Sequence, residues 1–148
     1  MIAICLIDTS VFYSLLIDRN QGTVAEFQMK IEAGEGIFLP MATIIEMGNH
    51  IGQMPNGDDR RQRAVEFVAQ VKLAIDGDSP FTAIDFVESE KMLQWLDEFP
   101  DWAMQEKGLG DLSIKQDWER QCELNRGRRV YIWSVDGDLD GYDRGPVI

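Results

Sequence analysis

The sequence predicts an α/β fold: a mostly parallel, twisted sheet with helices on both faces. Three observations carry that expectation. The apolar run Ile2 to Ile7 reads as a strand buried on both sides, the mark of a parallel sheet, and Arg129 to Val135 reads as a second clear strand. Segments of helical period alternate with strand-like segments along the chain. No repeat, linker or low-complexity stretch divides the 148 residues, so one domain spanning 1–148 is expected.

The elements follow in order. Ile2 to Ile7 is the first strand, with Asp8 at its carboxyl end. Thr9 or Ser10 is expected to cap a helix through Val11, Phe12, Tyr13, Leu15 and Leu16. A second helix is expected from Thr23 to Ala33, with Val24, Phe27 and Ile31 on one face, ended by Gly34 and Gly36. Ile37-Phe38-Leu39 is a short second strand. Pro40 suits the first turn of the next helix, in which Met41, Ile44 and Ile45 pack inward near Glu46. Gly48-Asn49 weakens that helix toward its end. Met54 to Asp58 is a turn cluster. Asp59 to Ile75 is strongly helical, with Ala64, Phe67, Val68, Val71 and Ala74 on one face, until Asp76 to Pro80 breaks it. Phe81 to Phe86 reads as an edge strand. Glu88 to Phe99 reads as a helix with Met92, Trp95, Leu96 and Phe99 inward, and the stretch through Pro100 has no assignment. Leu112 to Leu124 is a helix with Ile114, Trp118 and Cys122 among its apolar positions. Arg129 to Val135 is the last strand, ending at Asp136.

Charge narrows the function classes. The formal net charge is -12, which argues against holding nucleic acid by bulk electrostatics. A nuclease survives that argument, because metal ions neutralise an acidic site and basic residues act locally. Arg60, Arg61 and Arg63 form one basic cluster and Arg126, Arg128 and Arg129 another; the plain reading of both is a solvated face. The two cysteines, Cys5 and Cys122, fit neither a metal cluster nor a disulfide framework, and a reducing cytoplasm is expected. The apolar start ends at Asp8, too short for a signal peptide or membrane span, and no other run is long enough to cross a bilayer.

Four short blocks each deliver a carboxylate to one edge of this sheet. Asp8 and Asp136 stand at the ends of apolar strands. Asp111 opens a helix after Gly108 and Gly110, where the helix dipole favours an ionised carboxylate. Glu46 sits early in the helix after the second strand. In open α/β sheets, ligands bind outside the carboxyl ends of the strands. Crowded carboxylates repel and raise one another's pKa, and a hard divalent cation with oxygen ligands relieves that. Mg²⁺ or Mn²⁺ doing phosphoryl chemistry is therefore the leading expectation. Each acid also has a plain reading: Asp8 as a helix-start residue, Asp111 as an N-cap, Glu46 as a solvated helix residue, Asp136 as part of a turn, with Asp138 able to replace it.

The blocks Leu6-Ile7-Asp8-Thr9-Ser10, Ala42-Thr43-Ile44-Ile45-Glu46, Gly110-Asp111-Leu112-Ser113-Ile114 and Ile132-Trp133-Ser134-Val135-Asp136 together resemble a PIN-domain ribonuclease, like the toxin halves of VapBC toxin–antitoxin pairs. The resemblance spans nearly the whole chain and rests on order and spacing rather than on any single block. It implies one PIN-like domain, an acidic site of Asp8, Glu46, Asp111 and Asp136, and a hydroxyl from Thr9 or Ser10 beside it. It also implies metal-dependent cleavage of single-stranded or structured RNA and an antitoxin partner that inserts a basic side chain at Asp8 and Asp111. A homodimer is the expected assembly. Asp138 and Asp140 after Asp136 depart from the pattern, and the segment between Asp76 and Pro100 matches no motif.

Other schemes fit less well. His50 is the single histidine, which excludes a two-histidine ribonuclease and a His-rich zinc site, and it reads as a surface residue at a helix end. No Gly-x-Ser-x-Gly elbow or P-loop is present. Asp8 lacks the second acid two residues on that a haloacid-dehalogenase-type phosphatase wants, and the adjacent acids that a phospho-receiver domain normally carries. A phospho-receiver-like α/β domain with Asp8 among its acids, and a PIN-like fold that binds without cutting, are the alternatives.

Overall fold

The computed structural model of the chain describes residues 2–137 and 139–147. Five strands form one sheet in the order β3-β2-β1-β4-β5. The central strand β1 (Ala3–Ile7) is flanked in parallel by β2 (Gly36–Leu39) and β4 (Arg129–Trp133). The edge strand β3 (Phe81–Ala83) joins β2 in parallel, and β5 (Asp143–Arg144) joins β4 antiparallel. The sheet is thus mostly parallel, as the alternating pattern predicts. The strand β5 was not anticipated, since two polar residues carry no period.

Side chains alternate across the sheet, and β1 shows why its run is apolar at every position. Ala3, Cys5 and Ile7 enter one core with Phe12, Ile37, Leu39 and Met47. Ile4 and Leu6 enter a second core with Leu112, Ile114, Val130 and Ile132. Each fully buried Leu, Ile or Phe contributes about 1.5–3 kcal/mol, so β1 anchors both layers. The first layer is built by α1 (Thr9–Tyr13), which continues as a π-helical turn (Ser14–Asp18), and by α2 (Gln21–Glu32), α3 (Met41–Gly52) and α4 (Gly57–Asp76). The second is built by α5 (Ser89–Met104) and α6 (Leu109–Leu124). Helices therefore cover both faces.

Local chemistry sets the ends. The Asn20 side chain accepts from the Thr23 N–H at 3.0 Å, and Asn56 accepts from the Asp59 N–H at 3.0 Å, so both asparagines are N-caps. Gly77, at φ 80°, ends α4 in the left-handed conformation that glycine adopts freely. The Arg144 guanidinium donates to the carbonyls of Cys122, Asn125 and Arg128 at 2.6, 2.8 and 2.7 Å. Those are carbonyls at and beyond the carboxyl end of α6, where a cation is favoured.

Several expected packing roles differ. Ile45, Val68, Met92 and Leu96 face outward, each at least 42% exposed. On α3 the buried residues are Thr43, Met47 and Ile51, and on α5 the inward stripe is Trp95, Phe99 and Trp102. An apolar helix stripe of about 100° holds fewer residues than the apolar positions available. The edge strand stops at Ala83 rather than Phe86, and β4 stops at Trp133 rather than Val135. Helix α5 runs through Pro100 to Met104, although Pro100 has no N–H to give the Leu96 carbonyl. Among the described residues, no helix is long and apolar enough to cross a membrane.

One buried acid lies outside any expected site. Asp117 on α6 is 5% exposed, and burial, opposed only in part by Arg120, pushes its carboxyl up to about 7. The folded state therefore binds a proton that the unfolded state releases near its ordinary value of 3.8. Stability from this group is full below that value and falls as pH rises to about 7. Asp117→Asn should leave the melting temperature little changed at pH 4 and raise it at pH 8. The gain at pH 8 should be on the order of 1–4 kcal/mol, since one pKa unit is about 1.4 kcal/mol. Thermal melts of both proteins across this range check it; a gap that does not widen with pH would contradict it.

Candidate functional site

The site begins where β1 ends. The Asp8 N–H donates to the Trp133 carbonyl at 3.2 Å, extending the β1–β4 pairing by one residue. Asp8 is extended (φ -88°, ψ 178°) and is itself the N-cap of α1. Its Oδ1 accepts from the Val11 N–H at 3.1 Å and from the Ser10 hydroxyl at 2.5 Å. The cap was expected at Thr9 or Ser10 and falls one residue earlier, because the chain passes from strand to helix at Asp8 with no residue between. Capping and membership of the cleft were alternatives for Asp8; the structure combines them. Burial pushes its carboxyl above the ordinary value, hydrogen bonds from Ser10, Ser134 and Val11 oppose the shift, and the charge of Asp136 adds to it.

Glu46 comes from α3, one layer over β1. The Thr43 hydroxyl on the same helix donates to the Ile7 carbonyl at 2.8 Å and ties α3 to the end of the strand. The Thr9 hydroxyl donates to Glu46 Oε2 at 2.8 Å. The other carboxylate oxygen, Oε1, lies against Gly110, in the space that a Cβ there would fill. The absence of a side chain at Gly110 is thus what lets Glu46 reach the first turn of α6. Asp111 is in that turn, while the N-cap is Gly108, so Asp111 is not the cap. The Trp102 indole N–H donates to the Gly108 carbonyl at 3.0 Å and fixes the start of α6 from the end of α5.

Asp136 lies in the bend after β4. The Ser134 hydroxyl donates to its Oδ1 at 2.7 Å, and the Val135 N–H donates to the Ser10 Oγ at 3.1 Å. Ser10 therefore ties the bend to Asp8. Asp138, the expected substitute for Asp136, lies outside the described residues.

The four expected acids, drawn from four separate segments, line one cleft of about 580 Å³. Its lining includes Asp8, Asp18, Glu46, Asp111, Asp136 and His50, and holds no lysine or arginine among the described residues. A donor set of carboxylates and hydroxyls fits a hard divalent cation by type. Among the described residues, no three of His, Cys, Asp and Glu stand close enough together to hold an ion. The acids thus share one cleft without forming a closed ligand cage.

Sequence reasoning missed three features. Asp18 reaches the cleft from the π-helical turn, whose i+5 bonding leaves no signature in residue spacing. Ser134 was legible in hindsight as the first polar residue after an apolar strand. His50 is exposed, as expected of a helix end, yet it lines the cleft with Tyr13.

No family model matches the chain, and no curated protein matches it. Among solved structures its fold is similar to that of a chain in the crystal structure of VapBC2 from Rickettsia felis bound to a DNA fragment from their promoter. The TM-score is 0.52, over 76% of this chain and 77% of that chain. At 11% identity the likeness is one of fold.

Two outcomes follow from the geometry. Asp136→Asn should lower the Asp8 pKa, because one repelling charge is removed; carboxyl-carbon NMR titration reads it, and an unmoved Asp8 would separate the two groups electrostatically. Gly110→Ala should displace the Glu46 carboxylate at no cost to the fold, since alanine is favoured over glycine in a helix by about 1 kcal/mol. A melting temperature several degrees below the parent would show instead that the contact supports the fold.

Proposed function

We propose that the chain is a metal-dependent endoribonuclease of the PIN type, the toxin of a toxin–antitoxin pair, and that it cuts RNA at the acidic cleft. The observation that carries the reading is the convergence of Asp8, Glu46, Asp111 and Asp136 from four segments onto one cleft with no lysine or arginine among its described lining residues. The fold likeness to a chain of a VapBC2 complex supports it, although fold alone does not give function.

Asp8, Glu46, Asp111 and Asp136 would hold Mg²⁺ or Mn²⁺. Such a cation supplies charge for the phosphate oxygens and lowers the pKa of water beside it. The chain's own residues orient the acids. Ser10 and the Val11 N–H fix Asp8, Thr9 turns Glu46 toward α6, and Ser134 holds Asp136. Burial and the charge of Asp136 raise the Asp8 carboxyl above its ordinary value, so its ionised form gains when a cation is bound beside it. A second reading, a PIN-like module that binds without cutting, draws on the absence of a closed ligand set among the described residues.

Purified protein should cleave RNA with Mg²⁺ or Mn²⁺ and stop with EDTA; cleavage that survives EDTA contradicts the proposal. Asp8→Asn and Asp111→Asn should each reduce cleavage by roughly 10²-fold or more. Their melting temperatures should stay within a few degrees, since asparagine caps a helix as well as aspartate at position 8 and keeps the side-chain shape at position 111. Parent-like cleavage by Asp8→Asn would remove Asp8 from the site, and no cleavage by the parent under any divalent cation would favour the binding module.

The proposed partner is a small antitoxin whose basic tail enters the cleft, with a bidentate arginine reaching Asp8 and Asp111. The net charge of -12 suits such a tail. Its inhibition should weaken as Mg²⁺ rises, because tail and cation contend for the same carboxylates. Inhibition independent of metal, with unchanged binding to Asp8→Asn, would place the partner elsewhere. The proposed assembly is a homodimer, which sedimentation of the purified chain would test.

A further inference from the structure

The helices α1 and α3 meet at the cleft in two rungs. The first joins Thr9 to Glu46 through the hydroxyl at 2.8 Å. The second, four residues further along each helix, sets the Tyr13 and His50 rings edge to face with centroids 6.0 Å apart. Four residues of helix rise about 6 Å, so the rings stand one turn beyond the acid rung. Both rings line the same cleft as the acids, and no other aromatic side chain does among the described lining residues. His50 is exposed and Tyr13 half-buried, so the imidazole is the accessible member.

The electrostatics of the cleft make this pair matter. The described lining residues include five carboxylates and no lysine or arginine, so phosphates find no fixed cationic side chain among them. A cation held by the acids would meet the phosphates, and contacts that carry no charge would add affinity and select the form of the strand. Unpaired RNA bases stack on Tyr and His rings, and each stacked base is worth about 1–3 kcal/mol. A base held in a duplex does not offer its faces.

We propose that His50, backed by Tyr13, stacks an unpaired base of the RNA next to the acid rung, and so positions single-stranded substrate in the cleft. The inference rests on the ribonuclease reading and names the form of RNA that the site takes. Neither residue is a catalytic residue in this account; both position the strand.

The test uses the whole chain with Ca²⁺ in place of Mg²⁺, and a fluorescein-labelled twelve-nucleotide RNA without secondary structure. A series of the same RNA with one base removed at each position in turn, and its duplex, complete the set. With the parent, one abasic position should weaken binding by about 5- to 150-fold, the stacking energy converted at 1.4 kcal/mol per decade, and the duplex should bind more weakly than the single strand. His50→Ala should weaken the intact RNA by a similar factor and become insensitive to the abasic position, and His50→Phe should restore both. Parent-like binding by His50→Ala, or an abasic series without a minimum, would overturn the inference and leave the nuclease reading standing. A parent that binds no RNA at all while its melting temperature is normal would overturn both.

Discussion

Asp8 closes a strand, opens a helix and faces a cleft, and each of these roles constrains the others. Its N–H continues the pairing of β1 with β4. Its carboxylate caps α1, which fixes where Thr9, Ser10 and Tyr13 point. The same carboxylate is 4% exposed beside the charge of Asp136. A buried carboxylate is costly unless hydrogen bonds satisfy it, and the hydroxyls of Ser10 and Ser134 with the Val11 amide do so. Removing the cap, the strand pairing or the serines would disturb the remaining two.

Topology explains why the acids meet. In a parallel sheet the carboxyl ends of neighbouring strands lie along one edge, so residues far apart in sequence arrive together. β1 delivers Asp8, the helix after β2 delivers Glu46, and the bend after β4 delivers Asp136. Asp111 arrives from the second layer because Trp102 pins the start of α6 and Gly110 leaves room for Glu46. The result is a concentration of negative charge, met locally by the hydroxyls of Thr9, Ser10 and Ser134 and by the Val11 amide. That is the electrostatic condition in which a divalent cation or a basic side chain gains most on entry.

Much of this was legible because it depends on periods and ends. β1 and β4 are apolar at successive positions since both faces are covered, and Asp8 and the residues leading to Asp136 mark where that covering stops. Glu46 and Asp111 were legible from their places after a strand and after glycines. The facing of Ile45, Val68, Met92 and Leu96 was not, because apolar residues outnumber the width of the buried stripe and only tertiary packing selects among them. Pro100 hid the last turn of α5. The burial of Asp117 was also hidden, as a single acid among polar helix positions has no pattern of its own. The ring pair Tyr13 and His50 depends on two helices coming into register, which no single segment encodes.

The central claim is that the shared cleft is a cation site built from these carboxylates. Titration of the metal-free chain with Mn²⁺, followed by electron paramagnetic resonance of the free ion at neutral pH, tests it most directly and needs no substrate. The account predicts saturable binding, displaced by Mg²⁺ and sharply weakened in the Asp8→Asn and Asp111→Asn proteins while their melting temperatures hold. Absence of saturable binding in the millimolar range, or binding equal in the parent and both variants, would contradict it.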